Sequence, residues 1–163
     1  MRIKRLLLKL QLPLRATTAA VLSLVIAQAL QLPFPLYAFI AAVIVTDLQP
    51  ATSRQLGLRR IWATVIGASC GAAMAQVVPS GVMGVGIGIL AAMLLAQFLK
   101  AGEGVKVAGY ISGIVLLEHA AEPHTYAFLR FVETVIGVLV AWGISYIPRL
   151  FRDDTQTPPD KAS

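Results

Sequence analysis

The amino-acid sequence predicts an all-α, polytopic membrane protein with six transmembrane helices. Hydrophobic residues make up 57% of the 163 residues and charged residues only 13%, about half of the roughly 25% found in soluble domains. Two long stretches, 16–46 and 61–99, contain no charged side chain. A helix crosses the hydrocarbon core with about 20 residues, so each stretch is too long for one crossing and suits two. This composition argues against a cytosolic enzyme, and against a nucleic-acid binder despite the net charge of +6.

Turn-forming residues divide both charge-free stretches. The run Gln31–Pro35, which contains two prolines, interrupts the first stretch, and Pro79-Ser80-Gly81 interrupts the second. Proline and glycine end helices at such points. Four helices are therefore predicted near 16–31, 35–49, 60–78 and 82–99.

The last third of the chain contains two further apolar runs. Val107–Glu118 predicts the fifth helix and Ala127–Ile147 predicts the sixth. The polar run Glu122-Pro123-His124 predicts the loop between them.

These elements divide the chain into three parts. The six-helix transmembrane domain is expected over 16–148. The segment 1–15, in which leucines are interspersed with Arg and Lys, is expected to be amphipathic and to lie along the inner membrane surface. The tail 149–163, which contains prolines and aspartates, is expected to be disordered and cytoplasmic.

The distribution of positive charge predicts the orientation. With six crossings, both termini and the loops after the second and fourth helices share one side, and 13 of the 14 Lys and Arg residues fall there. Positively charged loops stay cytoplasmic, so both termini are expected inside a bacterial inner membrane. Ala27-Gln28-Ala29 resembles a signal-peptide cleavage site. We disfavour that alternative because the apolar stretch continues past Ala29 and cleavage would break the charge alternation.

The sequence contains an internal repeat at an offset of 70 residues. Arg60–Gly67 and Arg130–Gly137 share five of eight residues. Each half then holds three helices, about 16–79 and about 82–148. Because three is odd, the second half must enter the membrane from the opposite face, which is a 3+3 inverted repeat of the kind found in secondary transporters.

The repeated residues form a stripe on each helix. Arg60, Thr64, Gly67 and Gly71 follow i, i+4, i+7, i+11 spacing, and the stripe from Arg130 follows the same spacing. One interpretation is that the third and sixth helices simply pack together through these stripes. Small residues allow such close approach, and the positions predicted to serve helix packing are Gly67, Gly71, Gly84, Gly88, Gly109, Gly113 and Gly137.

Cations in membrane spans predict an anion pathway. A charge at a helix centre is costly in a bilayer and tends to face a cavity or a partner. We predict that Arg60 and Arg130, with Thr64 and Thr134 one turn deeper, attract an anion, Arg60 at the inner mouth and Arg130 at the outer mouth. The alternative for Arg130 is an i, i+3 ion pair with Glu133 near the outer interface.

Three carboxylates are candidates for proton coupling. Asp47 and Glu118 end the second and fifth helices, and Glu133 lies inside the sixth. For Asp47 and Glu118, a solvated helix end is the competing interpretation.

No enzymatic centre or metal site is predicted. Glu118, His119, Glu122 and His124 include zinc-ligand types, but their spacing matches no strong motif. No nucleophile with a neighbouring base occurs either, since Ser112 lies outside the nucleophile-elbow pattern. We therefore predict no catalytic residue, no metal and no cofactor.

Two segments carry a family resemblance. Thr46–Arg54 followed by Arg59–Ala68 resembles the signature of the fusaric acid resistance (FUSC) and aromatic acid exporter families, and Arg130–Gly137 resembles their closing helix. The resemblance spans about 15–148 and implies efflux of aromatic carboxylic acids. Only five positions have motif counterparts: Arg60, Thr64, Gly67, Arg130 and Gly137. Larger relatives hold two six-helix units and a cytoplasmic domain, so a single unit implies a homodimer.

These observations give two hypotheses. The first is an inner-membrane transporter that exports small organic anions, aromatic carboxylic acids above all. The second is a non-transporting membrane subunit whose glycine stripes serve assembly with a larger complex.

Overall fold

The computed structural model describes residues 2–79, 81–118 and 122–147. In these ranges the chain forms six α-helices and no β-strand, which confirms the all-α prediction and its number of helices. The predicted tail 149–163 lies outside the described residues. The helices are α1 Arg2–Ala29, α2 Leu36–Val45, α3 Pro50–Val77, α4 Val82–Phe98, α5 Gly104–Glu118 and α6 Pro123–Tyr146.

The two turns predicted within the charge-free stretches are confirmed: one separates α1 from α2 and the other separates α3 from α4. After α1, Gln31 adopts a left-handed backbone with φ of 53°, and its N–H donates to the carbonyl of Gln28. Such a residue closes the end of a helix by satisfying its last carbonyls. Between α3 and α4, Gly81 has φ of 126°, a conformation that favours glycine.

Several predicted boundaries are wrong, and the reasons are local. We placed the start of the third helix near residue 60, but α3 begins ten residues earlier with Pro50 in its first turn. Likewise, Pro123 belongs to the first turn of α6 and not to a loop. Proline is favoured at that position because its missing N–H has no helical partner there. Charge therefore shows where an apolar stretch ends, and not where the helix itself ends.

The first two helices also differ from their predicted lengths. α1 begins at Arg2, so the basic segment and the first apolar stretch form one helix that continues through Pro13. α2 ends at Val45 and has 10 residues, which is about 15 Å of helix.

Within the described ranges, two helical segments are long and apolar enough to cross a membrane. They are Leu10–Ala29 of α1 and Pro123–Tyr146, and only 28% and 33% of their apolar windows is buried inside the bundle. The core helix of a soluble domain would be mostly buried. Leu36–Val45 and Val82–Phe98 are apolar as well but shorter.

Helices α3 and α6 run antiparallel through the middle of the bundle. The Oγ1 atoms of Thr64 and Thr134 are 3.4 Å apart, and Gln76 near the end of α3 bonds His124 at the start of α6, with 2.8 Å between the two side-chain nitrogens. α3 also contacts α4 and α5, and α6 also contacts α1 and α2.

Glycines set the closest approaches between helices. A Cβ on Gly67 would lie 2.5 Å from the carbonyl oxygen of Ala108 in α5, and a Cβ on Gly137 would meet the carbonyl oxygen of Ala38 in α2. The predicted packing of α3 against α6 is present, and the stripe residues Thr64 and Thr134 touch there, but these two glycines face α5 and α2. At the offset of 70 residues, Gly67 is equivalent to Gly137 and Ala38 is equivalent to Ala108. The glycine of each half therefore contacts the equivalent alanine of the other half.

The other glycines predicted to serve helix packing have different neighbours. Gly84 faces the carbonyl of Pro79 within its own turn, not another helix. The remaining four face side chains or backbone of neighbouring helices: Gly71 faces Ser112, Gly88 faces Leu116, Gly109 faces Met93 and Gly113 faces Ile89.

The fold makes the predicted orientation testable. Arg54 lies near the start of α3 and His124 is hydrogen-bonded to Gln76 near its end, so the two positions are about 33 Å apart along the helix. In a Cys70→Ala background, we expect an impermeant maleimide to label His124→Cys on intact spheroplasts and Arg54→Cys only after permeabilisation. Labelling of both positions from one side would contradict the orientation.

Candidate anion-binding site

Three charged side chains are buried among the residues whose side chains the structure describes. Arg60 is 3% exposed, Arg130 is 1% exposed and Glu133 is fully buried. A buried charge is expensive unless it is paired or hydrogen-bonded, so these positions need a physical explanation. Two cations against one carboxylate also leave this part of the interior with a net positive charge.

The two arginines, which we call the arginine pair, share one aromatic ring. The guanidinium carbon of Arg60 is 5.5 Å from the ring centroid of Tyr110, and that of Arg130 is 6.0 Å from the same centroid. A cation within about 6 Å of a ring centroid is attracted by the π-face. The structure thus brings both guanidinium groups to the ring of Tyr110 on α5, and not to opposite mouths of the bundle as the sequence predicts.

Aromatic side chains surround Arg130. Its guanidinium carbon lies 3.1 Å from the ring centroid of Tyr37 on α2. The rings of Phe34 and Tyr126 complete a cluster with Tyr37, at centroid distances of 5.3 to 6.2 Å. Arg130 is therefore buried from water and stacked within an aromatic cluster.

Guanidinium N–H groups of the arginine pair lack acceptors. Nε and Nη1 of Arg60 and the same two atoms of Arg130 are buried and have no hydrogen-bond partner among the described residues. Leaving a charged donor buried without an acceptor costs more than leaving a neutral one. An anion that enters this region would supply the missing acceptors.

Glu133 does not fill that role. Its Oε1 accepts a hydrogen bond of 2.9 Å from the backbone N–H of Phe34, in the turn between α1 and α2. Its Oε2 has no hydrogen-bond partner in the described chain, and no ion pair joins it to Arg130 there. The predicted i, i+3 pair is therefore wrong, and the carboxylate fastens the α1–α2 turn to α6.

Thr64 and Thr134 are in contact between the two arginine-bearing turns. Thr64 Oγ1 lies 2.9 Å from the carbonyl oxygen of Arg60, and Thr134 Oγ1 lies 2.9 Å from that of Arg130. Both residues are fully buried, and their hydroxyl oxygens approach each other to 3.4 Å. This contact fixes the depth of the two arginine-bearing turns relative to each other.

The other two candidate carboxylates lie at the ends of helices. Asp47 is in the α2–α3 connection, where Oδ1 accepts a 2.8 Å bond from the N–H of Gln49. Glu118 is the exposed last residue of α5. No cluster of three metal-ligand side chains occurs in the described ranges, and His119, one of the residues weighed as a zinc ligand, lies outside them.

Sequence reasoning missed the tyrosines of this site. Tyr37, Tyr110 and Tyr126 come from three different helices, and none belongs to the repeat. A usable signal was present at Tyr110, which is the seventh residue of the 15-residue α5. Tyrosine in membrane helices is enriched at the interfaces, so a tyrosine in the middle of an apolar helix is unusual enough to suggest a polar neighbour.

One comparison with known proteins gives a match. The family model described as "Aromatic acid exporter family member 1" matches residues 14–146. No curated protein and no solved structure matches the chain.

Proposed function

The chain belongs to the aromatic acid exporter family, and from that premise we propose that it carries small aromatic carboxylates out of the cytoplasm across a bacterial inner membrane. The observation that carries the proposal is the arginine pair: two buried guanidinium groups near one ring, with buried N–H donors that have no acceptor among the described residues. A carboxylate matches both the charge and the planar donor geometry of a guanidinium.

The walls of the site support an aromatic cargo. Tyr37, Tyr110, Tyr126 and Phe34 present ring faces and edges around Arg130. Aromatic rings prefer edge-to-face or offset contacts with one another, worth about 0.5–1.5 kcal/mol beyond area burial. The ring of an aromatic acid would gain such contacts while its carboxylate meets the cations.

We further propose that all six helices cross the membrane as a 3+3 inverted repeat with both termini in the cytoplasm. The exchanged contacts Gly67–Ala108 and Gly137–Ala38 support the repeat, because a two-fold axis would convert one into the other. Thr64 and Thr134, which are 70 residues apart and touch, would lie at that axis. Each half supplies one arginine of the pair, so neither half contains the whole site.

Flux measurements with three matched probes test the proposed function. In proteoliposomes, we expect the protein to move benzoate, to move cyclohexanecarboxylate less because that acid lacks a π-system, and not to move benzylamine because its charge is reversed. Benzoate flux equal to that of empty liposomes would contradict the proposal. If flux appeared only with a co-purifying partner, the chain would be a membrane subunit of a larger transporter.

A further inference from the structure

A cavity with cations in its lining opens on a face of α3 that does not carry Arg60. It lies between one face of α3 and the turn that joins α4 to α5, and its volume is about 410 Å³. We call it the inner-side cavity, and its main lining residues are Leu58, Arg59, Trp62, Ile66, Leu99 and Lys100. Its lining contains neither Arg60 nor Arg130.

The lining combines two chemistries. Arg59 and Lys100 are exposed cations, while Leu58, Leu99 and Trp62 present apolar surface that is 45%, 59% and 63% exposed. Exposed apolar groups that lie together can mark a site that binds a ligand, a partner or a membrane. An occupant that fits would carry an anionic group next to a hydrocarbon part.

The local backbone explains why these groups meet. Arg59, Trp62 and Ile66 are spaced by three and four residues, so they lie on one face of α3. Lys100 and Gly102 have positive φ angles of 54° and 57°, which fold the α4–α5 turn back against that face. Lys100 is thereby held opposite Arg59 across the opening.

The charge of Arg59 is only weakly compensated. Its Nη1 lies 3.7 Å from Oε2 of Glu103, whose side chain is 82% exposed. This distance is longer than a charge-assisted hydrogen bond, and exposed pairs of this kind contribute little. Arg59 thus retains donors for a second anion.

We propose that the inner-side cavity binds the headgroup of an anionic phospholipid, with the lipid's upper acyl chain against Trp62 and Leu99. Three features select a lipid: the lining has exposed apolar side chains, its cations lie on the side to which the basic loops are assigned, and a tryptophan, Trp62, lines the cavity together with those cations. Basic pockets between helices at the cytoplasmic side recognise anionic headgroups in this way. The inference requires that the chain spans a membrane, but it does not depend on transport.

Brominated lipids give a direct test, because bromine on an acyl chain quenches a tryptophan that it touches. In a Trp142→Phe background, Trp62 is the only tryptophan. We expect brominated phosphatidylglycerol, diluted in unbrominated phosphatidylcholine, to quench the fluorescence of Trp62 strongly. Brominated phosphatidylcholine, diluted in unbrominated phosphatidylglycerol, should quench it less. An attraction of about fivefold per basic residue sets the expected scale of the preference.

A matched pair of variants identifies the site. Arg59→Gln with Lys100→Gln should abolish the preference, whereas Arg54→Gln with Lys106→Gln, which removes the same charge from outside the cavity, should keep it. Equal quenching by both lipids in the parent, or equal loss in both double variants, would overturn the proposal. If Trp142→Phe does not fold, native mass spectrometry can measure how much phosphatidylglycerol stays bound to the unaltered chain and to the two double variants. Loss of the bound lipid in Arg59→Gln with Lys100→Gln alone would support the site, and equal retention or equal loss in both double variants would overturn it.

Discussion

Gly137→Ala is expected to destabilise the folded protein by about 3 kcal/mol, at the upper end of the usual range for overpacking. The added Cβ would meet the carbonyl oxygen of Ala38, and it would lie 2.8 Å from the Cβ of Ala41. The obstacle is backbone, so no rotamer change relieves it and α2 must move away from α6. The free energy of unfolding in detergent, followed by helical circular dichroism, measures the effect.

Gly143 provides the control on the same helix. Apart from its own stretch of helix, no atom of the described residues lies within 4 Å of a Cβ built on Gly143, so Gly143→Ala should be neutral or should stabilise by up to about 1 kcal/mol through reduced chain entropy. Gly67→Ala should resemble Gly137→Ala, because its Cβ would lie 2.5 Å from the carbonyl oxygen of Ala108. Equal stability of the Gly137 and Gly143 variants would show that the α2–α6 contact is not close.

Much of the fold follows from two signals in the sequence. Charge-free stretches longer than one crossing, divided at Gln31–Pro35 and around Pro79, predict the helix pairs α1–α2 and α3–α4. The stripe from Arg60 to Gly71 correctly predicts which face of α3 is buried. These signals are local, since they depend only on helix periodicity and on residues that end helices.

What the sequence could not predict depends on which surfaces meet. A stripe of small residues shows that something packs closely, but not that Gly67 faces α5 while Thr64 faces α6. The convergence of Arg60 and Arg130 on Tyr110 could not be predicted for the same reason: it requires the relative depth of three helices. That depth is set by contacts such as Thr64–Thr134.

Arg130→Gln is expected to weaken carboxylate binding by about 10- to 150-fold. The scale follows from about 1.5–3 kcal/mol for a hydrogen bond to a charged group. Arg130→Lys should lie between, because lysine keeps the charge but lacks the planar group that stacks 3.1 Å from the centroid of Tyr37. Arg54→Gln makes the same chemical change at an exposed position and should bind like the parent.

A second variant keeps this prediction independent of folding. Without Arg130, the buried carboxylate of Glu133 loses its neighbouring cation, which destabilises the interior. Arg60→Gln leaves Arg130 and Glu133 in place and removes the other half of the arginine pair. It should weaken binding on the same scale, because both guanidinium groups lie at the ring of Tyr110.

The most direct test is calorimetric titration of the purified protein with benzoate, comparing the parent with Arg60→Gln, Arg130→Gln and the double variant. Each protein is first checked for a cooperative unfolding transition. We expect saturable binding by the parent, weaker binding by each single variant and no measurable binding by the double variant. Binding of benzoate by a folded double variant with the affinity of the parent would contradict the assignment of the arginine pair as the anion site.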